Sequence, residues 1–207
     1  AYPRGLTREV VDVLAQAECI VPYLDMPLQH ISDAILRRMR RGRGGDGTRK
    51  VLYRLRERMP DINLRTTFIT GLPGETDADF KELCDFVEEM DFSHMGVFTY
   101  SPEEDTPAAT MSMQVPKAIA EERKNQLMAI QKNISERRQR SMIGEQVDVL
   151  VEGVSAESEL LVQGRHAGQA PEIDGVTYIT SGEMQPVDVI PVRITETSDY
   201  DLAGECL

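Results

Sequence analysis

Cysteine is scarce and scattered: Cys19, Cys84 and Cys206 are the only three, and no two form a Cys-x-x-Cys pair. That spacing excludes a disulfide framework and a cysteine-built metal site, and it suits a reducing cytoplasm. No apolar run approaches the roughly 20 residues of a membrane span. Residues 1–5 lack the apolar core of a signal peptide, so export is not expected. An initiator methionine is missing too, and the chain opens on what reads as the end of a strand, so its start reads as internal. Internal repeats and low-complexity tracts are absent. Bases are nearly missing from the last quarter, where residues 144–207 hold 2 of them against 13 acids. Such a segment repels phosphate backbones and suits a basic partner, although plain solubility accounts for the same charge. His94 and His166 have no partner at metal-ligand spacing and read as loop or surface residues.

What is present points first to residues 64–76. Leu64-Arg65-Thr66-Thr67-Phe68-Ile69-Thr70 has high β-propensity and runs into Gly71-Leu72-Pro73-Gly74. Thr76 and Asp79 then form a capping-box-like start before Phe80, Leu83, Cys84 and Val87 at helical spacing, which puts Cys84 on the apolar face. The unit is strand, tight turn, helix. Its two glycines stand where the backbone turns hard or admits a close ligand. In α/β barrels ligands sit at the carboxyl ends of strands, whereas an ordinary βα turn needs no ligand at all.

The rest of the chain places this unit in a series. Residues 7–17 read as a short amphipathic helix and residues 20–28 as a buried strand with Gln29-His30 at its exit. A helix over 32–39 puts Ile31, Ile35, Leu36 and Met39 on one side, with Arg37, Arg38, Arg40 and Arg41 outward. The glycine-rich 42–47 breaks it, and a second helix covers 48–59. After the helix at 77–90 comes a strand at 95–100 and an acidic exit loop, Ser101-Pro102-Glu103-Glu104-Asp105-Thr106-Pro107. Strands alternating with helices predict a parallel sheet of three strands, with a fourth ending at Tyr2, too few to close a barrel. Pro116 opens a long helix to Met142, with Ile119, Leu127, Ile130 and Ile134 inward. Beyond it, 147–151, 160–162, 176–179 and 187–194 are short β-rich runs that predict a small antiparallel barrel of the OB type. The fold class is therefore α/β, a partial (β/α) barrel followed by a small all-β OB-like barrel. Its expected limits are 1–115, a connecting helix at 116–143, and 144–207.

Three motifs stand in one order: Tyr23-Leu24-Asp25-Met26-Pro27-Leu28-Gln29-His30-Ile31-Ser32, Thr67 through Thr76, and Val97-Phe98-Thr99-Tyr100-Ser101. Together they resemble the methylthiotransferase branch of the radical S-adenosylmethionine enzymes, in which a small β-barrel called TRAM follows the radical domain. One group in that branch modifies adenosine in tRNA; another adds a methylthio group to the β-carbon of an aspartate in small-subunit ribosomal protein twelve. Gln29-His30-Ile31, the carboxylates Glu103, Glu104 and Asp105 in place of an arginine, and Gly164-Arg165-His166 with Ala170 to Val176 resemble the ribosomal-protein group. The alternatives are the tRNA enzyme, a non-catalytic nucleic-acid-binding barrel module, and an ordinary α/β-barrel enzyme with a coincidental turn.

The resemblance implies S-adenosylmethionine and two 4Fe-4S clusters in the complete enzyme. Neither set of cluster cysteines is in this sequence, so no catalytic or metal-binding residue is assigned and no turnover by the chain alone is expected. The implied cofactor-binding residues are Gln29, Arg65, Thr67, Ile69, Gly71, Gly74, Glu75, Phe98 and Tyr100. Gln29 either reaches the ribose or carboxylate or caps its own loop, while His30 packs or orients that loop. Thr67 departs from the superfamily's glycine, and Glu75 stands one place late, where it also suits a helix N-terminus. Phe98 serves the adenine or the core, and Arg65 an ion pair or a carboxylate. The partners implied are a basic ribosomal protein docked on the acidic barrel and the N-terminal half of the same enzyme. Ribosomal RNA contact by the basic run 37–58, with 10 bases against Asp46 and Glu57, competes with a plain solvated helix face.

Overall fold

The computed structural model describes every residue except 43, 156, 157, 159, 160 and 183. Two compact units form, one of Ala1–Ile20 with Leu24–Gln131 and the other of Val21–Tyr23 with Lys132–Leu207.

Strands β1 (Tyr23–Asp25), β2 (Asn63–Thr70) and β3 (His94–Thr99) form a sheet in that order, which apart from Tyr23 belongs to the first unit. β2 and β3 are parallel, with Arg65 opposite His94 and Ile69 opposite Phe98. Along β2 burial alternates strictly, because successive side chains leave opposite faces of a pleated strand. Leu64, Thr66, Phe68 and Thr70 face the core. There Phe68, Phe86 and Phe92 meet edge to face, with ring centroids 5.8–6.2 Å apart. Helix α1 (Arg8–Gln16) starts on Thr7, whose Oγ1 accepts the Val10 N–H. Helix α4 (Asp77–Met90) starts on a complete capping box between Thr76 and Asp79.

Several elements differ from the sequence reading. Helix α2 is short (Asp33–Arg38), and α3 begins at Gly44 and runs to Arg58, so the glycine-rich segment opens a helix rather than ending one. The reason is packing: Gly45 donates its N–H to Asp33 Oδ1 at 2.7 Å, and a Cβ there would overlap the Ile31 carbonyl. Arg43 lies outside the described residues. β1 is shorter than the expected 20–28, and Ile20 and Val21 are exposed. Tyr2 ends no strand; it precedes a 3-10 turn at Pro3–Gly5. Cys84 is half-buried rather than core, and burial pushes its thiol up to about 11. Helix α5 (Lys117–Ser141) buries Leu127 and Ile134 as expected, but leaves Ile119 exposed and Ile130 half-buried while burying Ala120, Arg123 and Gln131.

The second unit holds a closed five-strand barrel in the order β4-β5-β6-β8-β7, where β4 is Gln146–Val154, β5 Val162–His166, β6 Thr177–Ile179, β7 Val189–Thr197 and β8 Leu202–Cys206. Only the β6–β8 joint is parallel, which is the OB arrangement. Val149, Val151, Ile179, Val192, Ile194 and Leu202 fill it. Strand β8 was not anticipated. Val187, expected in β7, takes a φ of 71° and is exposed before the strand begins. Leu160 of the expected 160–162 run lies outside the described residues.

Candidate functional site

At the carboxyl ends of the three strands the backbone links the motif residues directly. Gln29 accepts the Ile69 N–H and donates to the Thr67 carbonyl, both at 2.8 Å, forming a bridge beside Phe68. Its φ of 72° turns the chain out of the sheet at that point. Tyr100 donates its N–H to Thr70 at 2.8 Å, one residue before Gly71. The exits carrying Gln29, Gly71 and Tyr100 are therefore neighbours along one edge of the sheet.

A cavity of about 360 Å³ opens at this edge. Ile69, Leu72 and Pro73 of the second exit and Thr99, Tyr100 and Ser101 of the third line it, closed by Ile35, Arg38 and Met39 of the α2 region and by Ala108 and Met111. Its volume lies in the usual range for small-molecule sites, and the lining is mostly apolar. The Tyr100 hydroxyl is buried and has no hydrogen-bond partner among the described residues. Arg65, Thr67, Ile69 and Phe98 share the half-open face of the sheet, where Phe98 is 64% exposed. Arg65 is held by Asp25 at 3.0 Å. Gln29 and Thr67 are half-buried.

The Gly71–Glu75 turn is held by its own protein. Gly71 and Gly74 have φ of 77° and 79°, a left-handed conformation that favours glycine. A Cβ on Gly71 would overlap the Ala120 methyl of α5, and one on Gly74 would overlap the Arg38 guanidinium, which donates to the Pro73 carbonyl at 2.8 Å. The Glu75 carboxylate accepts the N–H groups of Gly71 at 2.6 Å and Leu72 at 3.1 Å, and its other oxygen takes Arg123 at 3.0 Å. Burial pushes this carboxyl up, against the pull of Arg123 and the two N–H donors. Both Glu75 oxygens are thus occupied within the protein.

His30 is fully buried. Its Nδ1 accepts the Ser32 N–H at 3.0 Å, which places the proton on Nε2, and Nε2 has no partner among the described residues. Burial pushes His30 down to about 4, so the ring is neutral at neutral pH. The Ser32 hydroxyl donates to Asp79, joining this loop to the start of α4. Burial raises the Asp79 carboxyl, but hydrogen bonds from Ser32 and Thr76 outweigh it and hold the group below its ordinary value.

Sequence reasoning missed Arg123, Ala120 and Arg38. A signal for the first two existed: Ala120, Arg123 and Leu127 lie at helical spacing on the buried stripe of an otherwise polar helix. Much of the basic run is spent internally. Arg41 donates to Pro27, Arg49 pairs with Glu82 and Glu89, Arg56 caps carbonyls at Met90 and Asp91, and Arg58 pairs with Asp12. No three His, Cys, Asp or Glu side chains gather as a metal site among the described residues. No helix there is long and apolar enough to cross a membrane.

Residues 2–87 match the Radical SAM superfamily, and residues 143–207 match the TRAM domain. The chain is 53% identical over 206 residues to the ribosomal protein uS12 methylthiotransferase RimO of Sorangium cellulosum, covering 100% of this chain and 42% of that protein. It is 52% identical over 204 residues to the protein of the same name from Anaeromyxobacter sp., covering 99% and 43%. Over its whole length the chain is thus similar to part of proteins named as methylthiotransferases, and its two matches stand in the order Radical SAM, then TRAM. The protein of the same name from Geobacter sulfurreducens is 48% identical over 207 residues, covering 100% of this chain and 46% of that protein. The chain spans less than half the length of these relatives and matches their C-terminal part. Among solved structures, coproporphyrinogen III oxidase (HemN) from Escherichia coli aligns with a TM-score of 0.54 at 16% identity, over 81% of this chain and 45% of that one. Elp3 from Methanocaldococcus infernus aligns at 0.50 and 12%, over 86% and 59%. These two likenesses concern the fold alone.

Proposed function

We propose that this chain supplies the nucleoside-binding portion and the TRAM barrel of an enzyme that adds a methylthio group to the β-carbon of an aspartate in ribosomal protein uS12. The observation that carries the reading is an apolar cavity of about 360 Å³ lined by the second and third strand exits, with the Gln29 exit hydrogen-bonded to the neighbouring Thr67 and Ile69 backbone. Ile69, Leu72 and the Tyr100 ring offer the apolar surfaces a purine needs, and Arg38, Thr99 and Ser101 are the polar residues of the same lining. Bound S-adenosylmethionine and an iron–sulfur cluster supply radical hydrogen abstraction from an unactivated carbon. The described residues do not fit a cluster, because Cys19, Cys84 and Cys206 are free and no three His, Cys, Asp or Glu side chains gather among those residues. The clusters then belong to the portion of the longer relatives that this chain does not match.

Titrating 5′-deoxyadenosine or S-adenosylhomocysteine into the isotopically labelled chain tests the reading. Saturable shifts at Ile69, Leu72 and Tyr100 are expected. Absence of saturation, or shifts confined to other parts of the chain, overturns it.

A ribosomal protein as substrate rather than tRNA is favoured by the barrel's charge. Of its two bases, Arg165 is already paired with Glu152 at 2.8 Å. Such a surface repels a phosphate backbone and attracts a basic protein.

A further inference from the structure

We propose that Arg123 is the positioning residue of the nucleoside crevice, holding the Gly71–Glu75 turn in its ligand-ready shape by clamping Glu75 from helix α5. The inference rests on the nucleoside reading above and adds a residue that the motifs do not contain.

The geometry is a chain of direct contacts. Arg123 Nη1 lies 3.0 Å from Glu75 Oε1 and 3.3 Å from the Glu75 carbonyl, while Nη2 lies 2.6 Å from Asp77 Oδ1. The Arg123 side chain is 7% exposed and the Glu75 side chain 0%. One guanidinium thus spans the end of the turn and the first turn of α4 with the forked geometry that only arginine has. The Arg123 guanidinium also lies over the Phe80 ring, 5.4 Å from its centroid, which fixes its direction. Held this way, Glu75 aims its other oxygen at the Gly71 and Leu72 N–H groups. Leu72 and Pro73 line the cavity, so the clamp sets where the floor of the crevice lies. The helix is registered on the same turn a second time, since Thr70 donates its hydroxyl to the Ala120 carbonyl at 2.9 Å. Among the described residues the hydrogen bonds of Arg123 go to Glu75 and Asp77, so it acts on the lining through Glu75.

Removing the arginine alone strands a buried carboxylate, so the test uses three variants of the full chain. Affinity for 5′-deoxyadenosine is measured calorimetrically at a temperature where circular dichroism shows each variant folded. Amide exchange at Gly71 and Leu72 is read by nuclear magnetic resonance. Arg123→Met should weaken binding about tenfold and Arg123→Lys, which reaches one carboxylate instead of two, about threefold. Exchange at Gly71 and Leu72 should quicken in both. The double variant Glu75→Gln with Arg123→Met keeps an oxygen for the two N–H groups and leaves no stranded charge. It should bind within about twofold of the parent. Should Arg123→Met not fold, Arg123→Lys and the double variant carry the comparison. A parent that binds while the arginine variants bind equally well, with unchanged Gly71 and Leu72 exchange, overturns the inference. A double variant as weak as the lysine variant or weaker overturns the route through Glu75. A parent that binds no nucleoside overturns the underlying reading itself, and is told apart by failing before any substitution is made.

Discussion

Gly71 meets two demands at one position. Its φ of 77° favours glycine, and its α-carbon sits so near Ala120 that a methyl group would overlap. Gly71→Ala is expected to destabilise the chain by about 3 kcal/mol in urea melts. A cycle with Ala120→Gly should recover a coupling of about 1 kcal/mol, the steric share, while the backbone share remains. His30 makes a different demand. Burial pushes it to about 4, below the ordinary 6.5, so the unfolded chain takes up a proton that the folded chain refuses. The stability contributed by the neutral ring is complete above about pH 6.5 and is lost as pH falls toward 4, to an extent of about 3 kcal/mol. His30→Asn places an oxygen where Nδ1 accepts the Ser32 N–H, and urea melts at about pH 7.5 and about pH 4.5 should show that this acid-side slope has flattened.

Helix α4 was legible to the residue because its start is written locally: Thr76 and Asp79 bond each other's backbone, and Asp91 closes the helix with a left-handed φ of 42°. Thr76→Ala should lower stability by about 1 kcal/mol in thermal melts, with the loss of helix signal small. Strand β2 was legible for a similar reason, since its buried and half-buried residues alternate without a break. Where the reading failed, a distant neighbour had decided the matter. Gly45 looks like a helix breaker until the Ile31 carbonyl and the Asp33 carboxylate are placed beside it. The stripe of α5 looks apolar until Arg123 finds two carboxylates that sit 46 and 48 positions earlier in the chain. Strand β8, Leu202-Ala203-Gly204-Glu205-Cys206, has little β-propensity of its own; its pairings with β6 and β7 make it a strand.

At the scale of the whole molecule, the alternation of strands and helices followed by short β-runs was enough to give an open parallel sheet and an OB-like barrel. Ile69 and Tyr100 from the motif reading line the cavity, and Gln29 bridges to the same strand. The residues that close the cavity from the α2 region and from Ala108 and Met111 could not be read, because nothing local to those segments announces an exposed rim. Charge is the property that acts over the largest distance here. Replacing exposed Glu172, Glu196 and Glu205 by Lys should weaken binding of a basic uS12 peptide about tenfold at low ionic strength, and far less at about 1 M salt. Fluorescence anisotropy across a salt series checks this.

The two sheets differ in one topological respect that bears on handling the protein. The barrel closes on itself, β7 back to β4, and leaves no strand with an unmated side. The order β1-β2-β3 leaves β1 and β3 as margins, and β1 is short and partly occupied, since Tyr23 donates to the Val21 carbonyl and Asp25 accepts from the Ala1 amino group. Concentrated solutions of this chain should therefore self-associate by lateral strand addition at those margins rather than through the barrel, which makes β3 the place to introduce a lysine or proline when a monodisperse sample is wanted.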